Sequence, residues 1–392
     1  MRRECEAKVP CSTEFMVRPA PKSDLQRHLR YVVLLAVFCV GGAACGVHTV
    51  QVSPSDSLKP GDFGLGYLEP TFRRAGGYSE QLTLHGNLEH GGSVYLRLFI
   101  TNLAGANGRA ELTARISMPD GSIERFSSKY KRGQWRHRGD GFDVQLGPNR
   151  ITVMDDVTTL VLVNETTSAH LEAQSELPAF RPAGETVDFG EGRSYQTTVL
   201  VPRGSLTGSI QTRSKSELEE DDEPNEWALE GTVFVEHRVG NIALYDMSQR
   251  WLQVRDINSE HTYILSAFQR TSRLGGGIQA WMFVADDDGM RVYEPTLALQ
   301  LRDFSTEAAG PYKVPKSIIF KGASGTVGAL KTLRSVSQKS DLAFLSPLVR
   351  KLVSLVMNPW TYRHEAQYLV RSNESPDLTF EGKADYSYMQ LH

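Results

Sequence analysis

Strict alternation of apolar and polar residues after about residue 65 constrains the fold of this chain more than any other feature. In "AELTARISMPDG" the apolar positions Leu112, Ala114, Ile116 and Met118 fall on one side, and polar residues separate them. "SVYLRLFITN", from Ser93, alternates in the same way. Because successive side chains of a strand point to opposite faces, this period of two predicts half-buried β-strands.

Similar runs recur along the rest of the chain. They lie near residues 141–147, 150–154, 158–164, 197–201, 206–212, 228–238, 250–256, 261–269, 278–285, 296–302 and 315–321, and a closing pair lies at 363–371 and 378–389. Turn signals such as "PDGS", "DDDG" and "GASG" separate them. Many short strands joined by hairpins predict an all-β chain of antiparallel sandwiches or barrels.

Three segments depart from this pattern. "SDLAFLSPLVRKLVSLVMNP" has apolar residues at helical spacing and predicts one amphipathic helix over about 342–357, which covers a barrel or faces a membrane. "SELPAFRPAGETVDFGEGRS" is rich in Pro and Gly and predicts a joint between an N-terminal domain, 65–180, and a C-terminal domain, 181–392. The acidic run Glu217 to Glu226 is interpreted as a solvated loop between paired strands, with a linker or a calcium site as alternatives.

The N-terminal 45 residues have the pattern of an export signal. In "LQRHLRYVVLLAVFCVGGAACG" basic residues precede an apolar run that is shorter than the roughly 20 residues of a membrane span. The small residues before Cys45 resemble a bacterial lipobox, which predicts lipidation of Cys45 and a polar tether over 46–64. We therefore expect an exported protein anchored in the bacterial cell envelope, facing the periplasm. An ordinary signal peptide and a retained anchor are the alternatives.

Charge and motifs exclude several functional classes. The net charge of -3 argues against a nucleic-acid partner, because phosphate binding needs a basic surface. The chain contains no GxSxG, Walker or dinucleotide-binding motif, and its ten histidines show no metal-ligand spacing. No cysteine follows Cys45, so the strand-rich part has no thiol nucleophile or disulfide. We expect neither a metal nor a cofactor.

The order of several segments resembles the survival-factor-1-like family. The segments are "YLRLFITNLAGANGRAELTARISMPDG", "VPRGSLTGSI", "LEGTVFVEHRVGNIALYDMSQRWLQVR", "HTYILSAFQ", "YKVPKSIIFKG" and "NPWTYRHEAQYLV". The resemblance covers about 65–390, and the family is related to hydroxyneurosporene synthase and AttH-like proteins. It implies two consecutive lipocalin-like antiparallel β-barrels.

The resemblance also implies a function. Barrels of lipocalin size hold one small ligand, and the family is associated with lipid handling and stress survival. We expect a protein that binds or carries a hydrophobic small molecule, either a lipid or an isoprenoid. The synthase-like relatives hydrate isoprenoid double bonds or cyclise polyenes, so a cofactor-free hydratase or cyclase is the alternative. A scaffold with filled barrels is a third hypothesis.

Glu236 and His237 stand side by side in "FVEHRVGNIALYDMSQRWLQVR" and are the catalytic candidates if the protein is an enzyme. The synthase-like relatives resemble "W.DHEWS" at this place; the His is kept here, Glu236 replaces the Asp, and both tryptophans are absent. Their absence counts against carbocation chemistry, which uses aromatic faces. Strand alternation also points the two side chains to opposite sides. His237 is therefore interpreted as structural, ligand-contacting or catalytic.

Further along the same stretch, Trp251 and Arg255 share a strand face and are candidates for ligand binding. They either line a wet cavity, with Arg255 meeting a lipid head group, or form a packed tryptophan and an exposed arginine at a domain junction. Tyr245, Trp281 and His237 complete the set of ligand-binding candidates. Aromatic residues on strands belong more often to a core than to a ligand site.

Overall fold

The computed structural model describes residues 77–102, 108–138, 141–182, 186–190, 193–213, 224–343, 347–354, 357–373 and 378–391. The predicted signal peptide, Cys45 and the tether lie outside these residues, as does most of the acidic run. A search of the described helices for one long and apolar enough to cross a membrane finds none.

The strands that precede residue 241 form one twelve-stranded antiparallel sheet. They are β1 (Ser79–Leu88), β2 (Ser93–Thr101), β3 (Arg109–Ser117), β4 (Ile123–Tyr130), β5 (Trp135–His137), β6 (Phe142–Leu146), β7 (Asn149–Met154), β8 (Val157–Val163), β9 (Thr167–Ser175), β10 (Thr186–Asp188), β11 (Ser194–Thr212) and β12 (Asn225–Gly240). The sheet order is β4-β3-β2-β1-β12-β11-β9-β8-β7-β6-β5, and β10 pairs with β11.

The remaining strands form a second, nine-stranded antiparallel sheet. They are β13 (Ser248–Ile257), β14 (Thr262–Arg270), β15 (Ile278–Asp286), β16 (Gly289–Glu294), β17 (Leu297–Thr306), β18 (Lys313–Gly322), β19 (Val327–Ser340), β20 (Trp360–Arg371) and β21 (Thr379–Gln390). Their order is β16-β15-β14-β13-β21-β20-β19-β18-β17. Two short helices accompany them, α1 (Leu244–Met247) between the sheets and α2 (Pro347–Val353) after β19.

Both sheets curl into barrel-like shapes, which confirms the prediction of an all-β chain with two consecutive lipocalin-like barrels. In the first sheet the curl brings β4 back toward β9. The hydroxyl of Thr167 donates to Glu124 at 2.9 Å, and the amide of Asn149 donates to the Tyr130 hydroxyl at 3.2 Å. Each curled sheet encloses its own hydrophobic cluster. We call these the first and the second barrel.

The change from one sheet to the other does not coincide with the predicted domain boundary. The change of sheet falls between Gly240 and Ser248, whereas the predicted domain boundary lies at 180/181. β11 and β12 pair with β9 and β1, so the strands on both sides of the Pro/Gly-rich stretch belong to one sheet. The described part of helix α2, Pro347–Val353, lies within the predicted helix over about 342–357, and residues 344–346 before it lie outside the described residues.

A third region of buried residues lies between the two sheets. β11 and β12 contribute their outer faces, and β13, β14 and β15 of the second sheet cover them. This junction holds two aromatic-rich clusters, one around Trp281 and one around Trp251. The folded chain therefore has two barrel interiors and one junction in which functional side chains can be enclosed.

Candidate functional site

Strand alternation on β12 separates Glu236 from His237. Glu236 faces the junction and pairs in register with Thr83 of β1, while His237 faces the first barrel's interior and pairs with Leu82. The Glu80 carboxylate lies 2.7 Å from His237 Nε2 and accepts a 2.5 Å bond from the Tyr78 hydroxyl. The two catalytic candidates thus belong to different environments, as the alternation indicates.

Glu236 is the centre of a buried charge cluster at the junction. It is only 1% exposed, and its carboxylate accepts hydrogen bonds from the Thr83 hydroxyl at 3.0 Å and from Arg238 Nη2 at 2.9 Å. Arg255 of β13 approaches the same carboxylate at 3.8 Å, which is too long for a hydrogen bond. One carboxylate from the first sheet therefore meets guanidinium groups from both sheets.

The electrostatic effect of the arginines extends beyond this carboxylate. Burial lowers the pKa of Arg255, and the Arg238 charge acts in the same direction while Glu236 opposes it. Burial also holds the pKa of His85 on β1 well below its ordinary value, and Arg255, Arg363 and Arg238 lower it further. Burial and the three arginine charges therefore both favour the neutral form of His85 at this end of the junction.

Trp251 lies next to the charge cluster. Its ring stacks on Phe268 at 5.3 Å and meets the edge of Tyr195 at 5.5 Å, and the Arg238 guanidinium lies over the ring at 5.2 Å. Trp251 is 6% exposed, and its indole N–H has no hydrogen-bond partner among the described residues. The residue is packed, but it keeps one unused donor.

Trp281 of β15 occupies the other aromatic cluster of the junction. It stacks on Phe283 at 6.1 Å and meets Phe180 edge-on at 6.4 Å. Trp281 is fully buried, and its indole N–H likewise lacks a partner within the part of the chain that the structure describes. An unpaired buried donor costs about 1–3 kcal/mol, so both indoles are candidates for contact with a bound molecule.

The junction therefore contains four of the six catalytic and ligand-binding candidates predicted from the sequence, which are Glu236, Trp251, Arg255 and Trp281. His237 lies inside the first barrel, and Tyr245 lies half-buried on α1. Thr83, His85 and Arg238 complete the junction cluster without having been predicted. Only Arg238 gave a sequence signal, because it shares a strand face with Glu236.

A second polar group lies inside the second barrel and was not predicted. The Tyr368 hydroxyl donates to Asp256 Oδ2 at 2.8 Å and is hydrogen-bonded to His261 Nε2. Burial, followed by the Asp256 charge, raises the pKa of Tyr368. A side chain at Gly382 would begin 2.7 Å from Asp256 Oδ2. A glycine within an alternating strand indicates that another group approaches the backbone closely, so Gly382 was the sequence signal for this site.

The described residues contain no group of three His, Cys, Asp or Glu side chains placed to hold a metal ion. The junction instead offers aromatic surfaces, unused N–H donors and one end rich in guanidinium groups. An arrangement of this kind suits an apolar molecule with a polar terminus.

Comparison of sequences matches the chain to no family model and to no curated protein. Comparison of structures gives several likenesses. CghA in complex with Sch210972 has a TM-score of 0.53 at 11% identity, over 88% of this chain and 97% of that one. A putative AttH from Nitrosomonas europaea has a TM-score of 0.51 at 11% identity, over 86% and 98%. Kievitone hydratase from Nectria haematococca has a TM-score of 0.51 at 12% identity, over 87% and 95%. The chain thus shares the AttH-like double-lipocalin fold.

Proposed function

We propose that this protein binds or carries a hydrophobic small molecule, a lipid or an isoprenoid, at the junction between its two barrels. One observation carries the proposal, namely the two buried indole N–H groups of Trp251 and Trp281 that have no partner among the described residues. A ligand that accepts hydrogen bonds from them removes a cost that the folded protein otherwise bears. The aromatic side chains around both indoles supply apolar contact area.

The first experiment is native mass spectrometry of the protein after purification from a membrane-containing host. The bound lipid is then extracted and identified. We expect a species heavier than the protein alone by the mass of one ligand. A protein that arrives without added mass and takes up no fatty acid, sphingolipid or isoprenoid contradicts the proposal.

Replacement of an indole N–H tests the site itself. Trp281→Phe keeps the aromatic packing and removes the donor, so the affinity for the extracted ligand falls about tenfold, the factor for one hydrogen bond. Trp360→Phe is the matched control, because the Trp360 indole already donates to Asn358 at 3.2 Å. If the two variants lose affinity equally, the junction is not the binding site.

A cofactor-free hydratase or cyclase is the second candidate function. The observation that favours it is the Asp256–Tyr368–His261 group, which combines a carboxylate, a phenol and an imidazole in one buried place. Hydration of a double bond needs a proton donor and a base that activates water. The fold shared with kievitone hydratase is compatible with such a reaction.

Oxygen-18 water distinguishes the two candidates. If the protein is a hydratase, an isoprenoid incubated with it in H₂¹⁸O gains one labelled hydroxyl group, and Tyr368→Phe abolishes the gain. His237→Ala and Glu236→Gln test the two candidates suggested by the sequence in the same assay. A ligand that is recovered unchanged after prolonged incubation supports binding alone.

Export and anchoring complete the proposal. We propose that the chain is processed before Cys45, acylated there and held at a membrane of the bacterial cell envelope, facing the periplasm. The resemblance to survival-factor-1-like proteins adds a role in stress survival to this proposal. Mass analysis of the N-terminal peptide detects the acyl group, and Cys45→Ala releases the protein into the soluble fraction. A membrane-bound Cys45→Ala variant contradicts lipidation at this residue.

A further inference from the structure

The junction has one end that differs chemically from the rest, and it bears on the class of ligand. Glu236, Arg238 and Arg255 meet at this end, beside Trp251 and the neutral His85. The other end, around Trp281, is formed by apolar and aromatic side chains. A buried region with one aromatic and one cationic end has the chemistry that an amphipathic molecule would match.

Arg255 is insufficiently compensated for a buried cation. Its side chain is 15% exposed, and among the described residues its guanidinium donates only to the Gln253 side chain. The closest carboxylate oxygen, on Glu236, is 3.8 Å away and already accepts from Thr83. Burial therefore outweighs the attraction of Glu236 and lowers the pKa of Arg255. A guanidinium group has five N–H donors, so most of the hydrogen-bonding capacity of Arg255 remains available.

The neighbours of Arg255 add positive charge on the side open to solvent. Glu236 is 1% exposed at its side chain, whereas Arg238 and Arg255 keep 12% and 15%. The carboxylate thus lies behind the two arginines, which form the accessible surface. Arg363 and Asp385, both of which are exposed, form an ion pair at 3.2 Å, so their opposite charges largely cancel. His85 on β1 lies close enough to Arg255, Arg363 and Arg238 for their charges to add to the effect of burial, which is the main cause of its lowered pKa.

From these observations we infer that this end of the junction recognises the anionic head group, carboxylate or phosphate, of an amphipathic lipid. Arg255 donates to the anion as a fork of parallel N–H groups, and Arg238 contributes positive charge. Glu236 orients both guanidinium groups from behind. The hydrocarbon part of the ligand extends toward Trp281. This inference rests on the proposed binding function and specifies the ligand for that same site.

Matched ligands test the inference. Palmitic acid, hexadecyl phosphate and hexadecanol differ in the head group while keeping a similar chain, and their affinities are measured by displacement of a fluorescent lipid. We expect the wild-type protein to bind at least one anion about 10- to 100-fold more tightly than the alcohol, the factor for a charged hydrogen bond. The stronger of the two anions identifies the head group as carboxylate or phosphate.

Two variants locate the effect. Arg255→Gln removes the charge and keeps a polar side chain, so it lowers affinity for the anion to about the affinity of the same variant for hexadecanol. Arg334→Gln is the matched control, since Arg334 pairs with Glu365 on the outer face of β19 and β20. It keeps the full preference for the anion. Circular dichroism and thermal unfolding establish that both variants are folded.

The outcomes separate this inference from the function on which it depends. If all three ligands bind with equal affinity, the protein binds lipids but the head-group site is wrong. If Arg255→Gln keeps the preference for the anion, the recognition lies elsewhere and the inference is also wrong. If no ligand binds to the wild-type protein, the proposed binding function itself fails.

Discussion

The two barrels share an architecture but enclose different interiors. The first is filled mostly by aliphatic side chains, together with Tyr78, Phe126, Trp135 and Phe142, and it contains His237 and Glu80 as a buried polar pair. The second encloses five tyrosines, which are Tyr263, Tyr362, Tyr368, Tyr386 and Tyr388, together with His261, His364 and Asp256. Besides the number of strands, side-chain chemistry therefore distinguishes the two halves.

This difference assigns different physical tasks to the two barrels. Leucine, isoleucine and valine fill space in well-defined rotamers and stabilise a fold through burial. Tyrosine and histidine bring polar atoms that must each find a partner. In the second barrel the fully buried Tyr263 hydroxyl finds none among the described residues. The first barrel is thus mainly an aliphatic support, although its buried Thr158 hydroxyl also lacks a partner among the described residues, and the second barrel encloses more polar side chains.

The largest expected effect comes from opening a cavity in the first barrel. Leu112 is fully buried on β3, and Leu112→Ala lowers the free energy of unfolding by about 2–5 kcal/mol, because transfer and cavity costs add. Urea unfolding followed by circular dichroism measures the change. Leu333→Ala, at a residue that is 46% exposed on β19, is the control and changes stability by less than about 0.5 kcal/mol. A small effect at Leu112 contradicts the tightly packed interior.

Breaking a satisfied polar group in the second barrel has an intermediate effect. Tyr368→Phe removes the hydroxyl that donates to Asp256 and contacts His261, and it leaves a largely buried carboxylate without that donor. The free energy of unfolding falls by about 1–3 kcal/mol. Tyr386→Phe serves as a comparison because, among the described residues, its hydroxyl donates to a backbone carbonyl, that of Pro315, at 3.2 Å. If the loss at Tyr386 exceeds the loss at Tyr368, the Asp256 group is not a cooperative unit.

We expect the stability of the second barrel to depend on pH through His364. Burial and the Lys316 charge lower its pKa, against Glu307 and the Arg334 backbone. A folded-state pKa below the unfolded value of about 6.5 means that the unfolded chain takes up the proton first. Stability is therefore complete above pH 6.5 and falls below it, by at most about 1.4 kcal/mol per pH unit for this group.

His364→Phe keeps a ring against Tyr386, which stacks at 5.4 Å, and flattens the dependence of unfolding free energy on pH between 6.5 and 5. His90→Gln, at an exposed turn of the first barrel, leaves the dependence unchanged. An unaltered slope for His364→Phe means that His364 is not the group that loses stability in acid.

The sequence revealed strands and their faces but not their partners. Alternation around His237 predicted correctly that Glu236 and His237 diverge, because the direction of a side chain follows from the backbone period alone. Their partners, Thr83 and Glu80, lie about 150 residues earlier and depend on the register of β1 against β12. Nothing in a strand's own sequence specifies which distant strand it joins.

The same limit explains the boundaries and the missed residues. β11 and β12 read as strands, but their membership in the first sheet depends on pairing with β9 and β1. Asp256, His261 and Tyr368 are separated by up to 112 residues and come together only when β13 and β20 curl into one barrel. Trp251 and Arg255 were predictable as a pair because they share a single strand face.

Tyr263→Phe has the smallest expected effect on stability, and the direction of that effect is its informative part. The Tyr263 hydroxyl is fully buried, has no hydrogen-bond partner among the described residues, and burial raises its pKa. Tyr263→Phe removes this hydroxyl and keeps the ring that stacks on Tyr368 at 4.3 Å. We therefore expect unchanged stability or a gain of up to about 1 kcal/mol, opposite in sign to Tyr368→Phe. Thermal unfolding of the lipid-stripped protein measures it. If Tyr263→Phe instead lowers the free energy of unfolding by more than about 1 kcal/mol, the Tyr263 hydroxyl already has a hydrogen-bond partner.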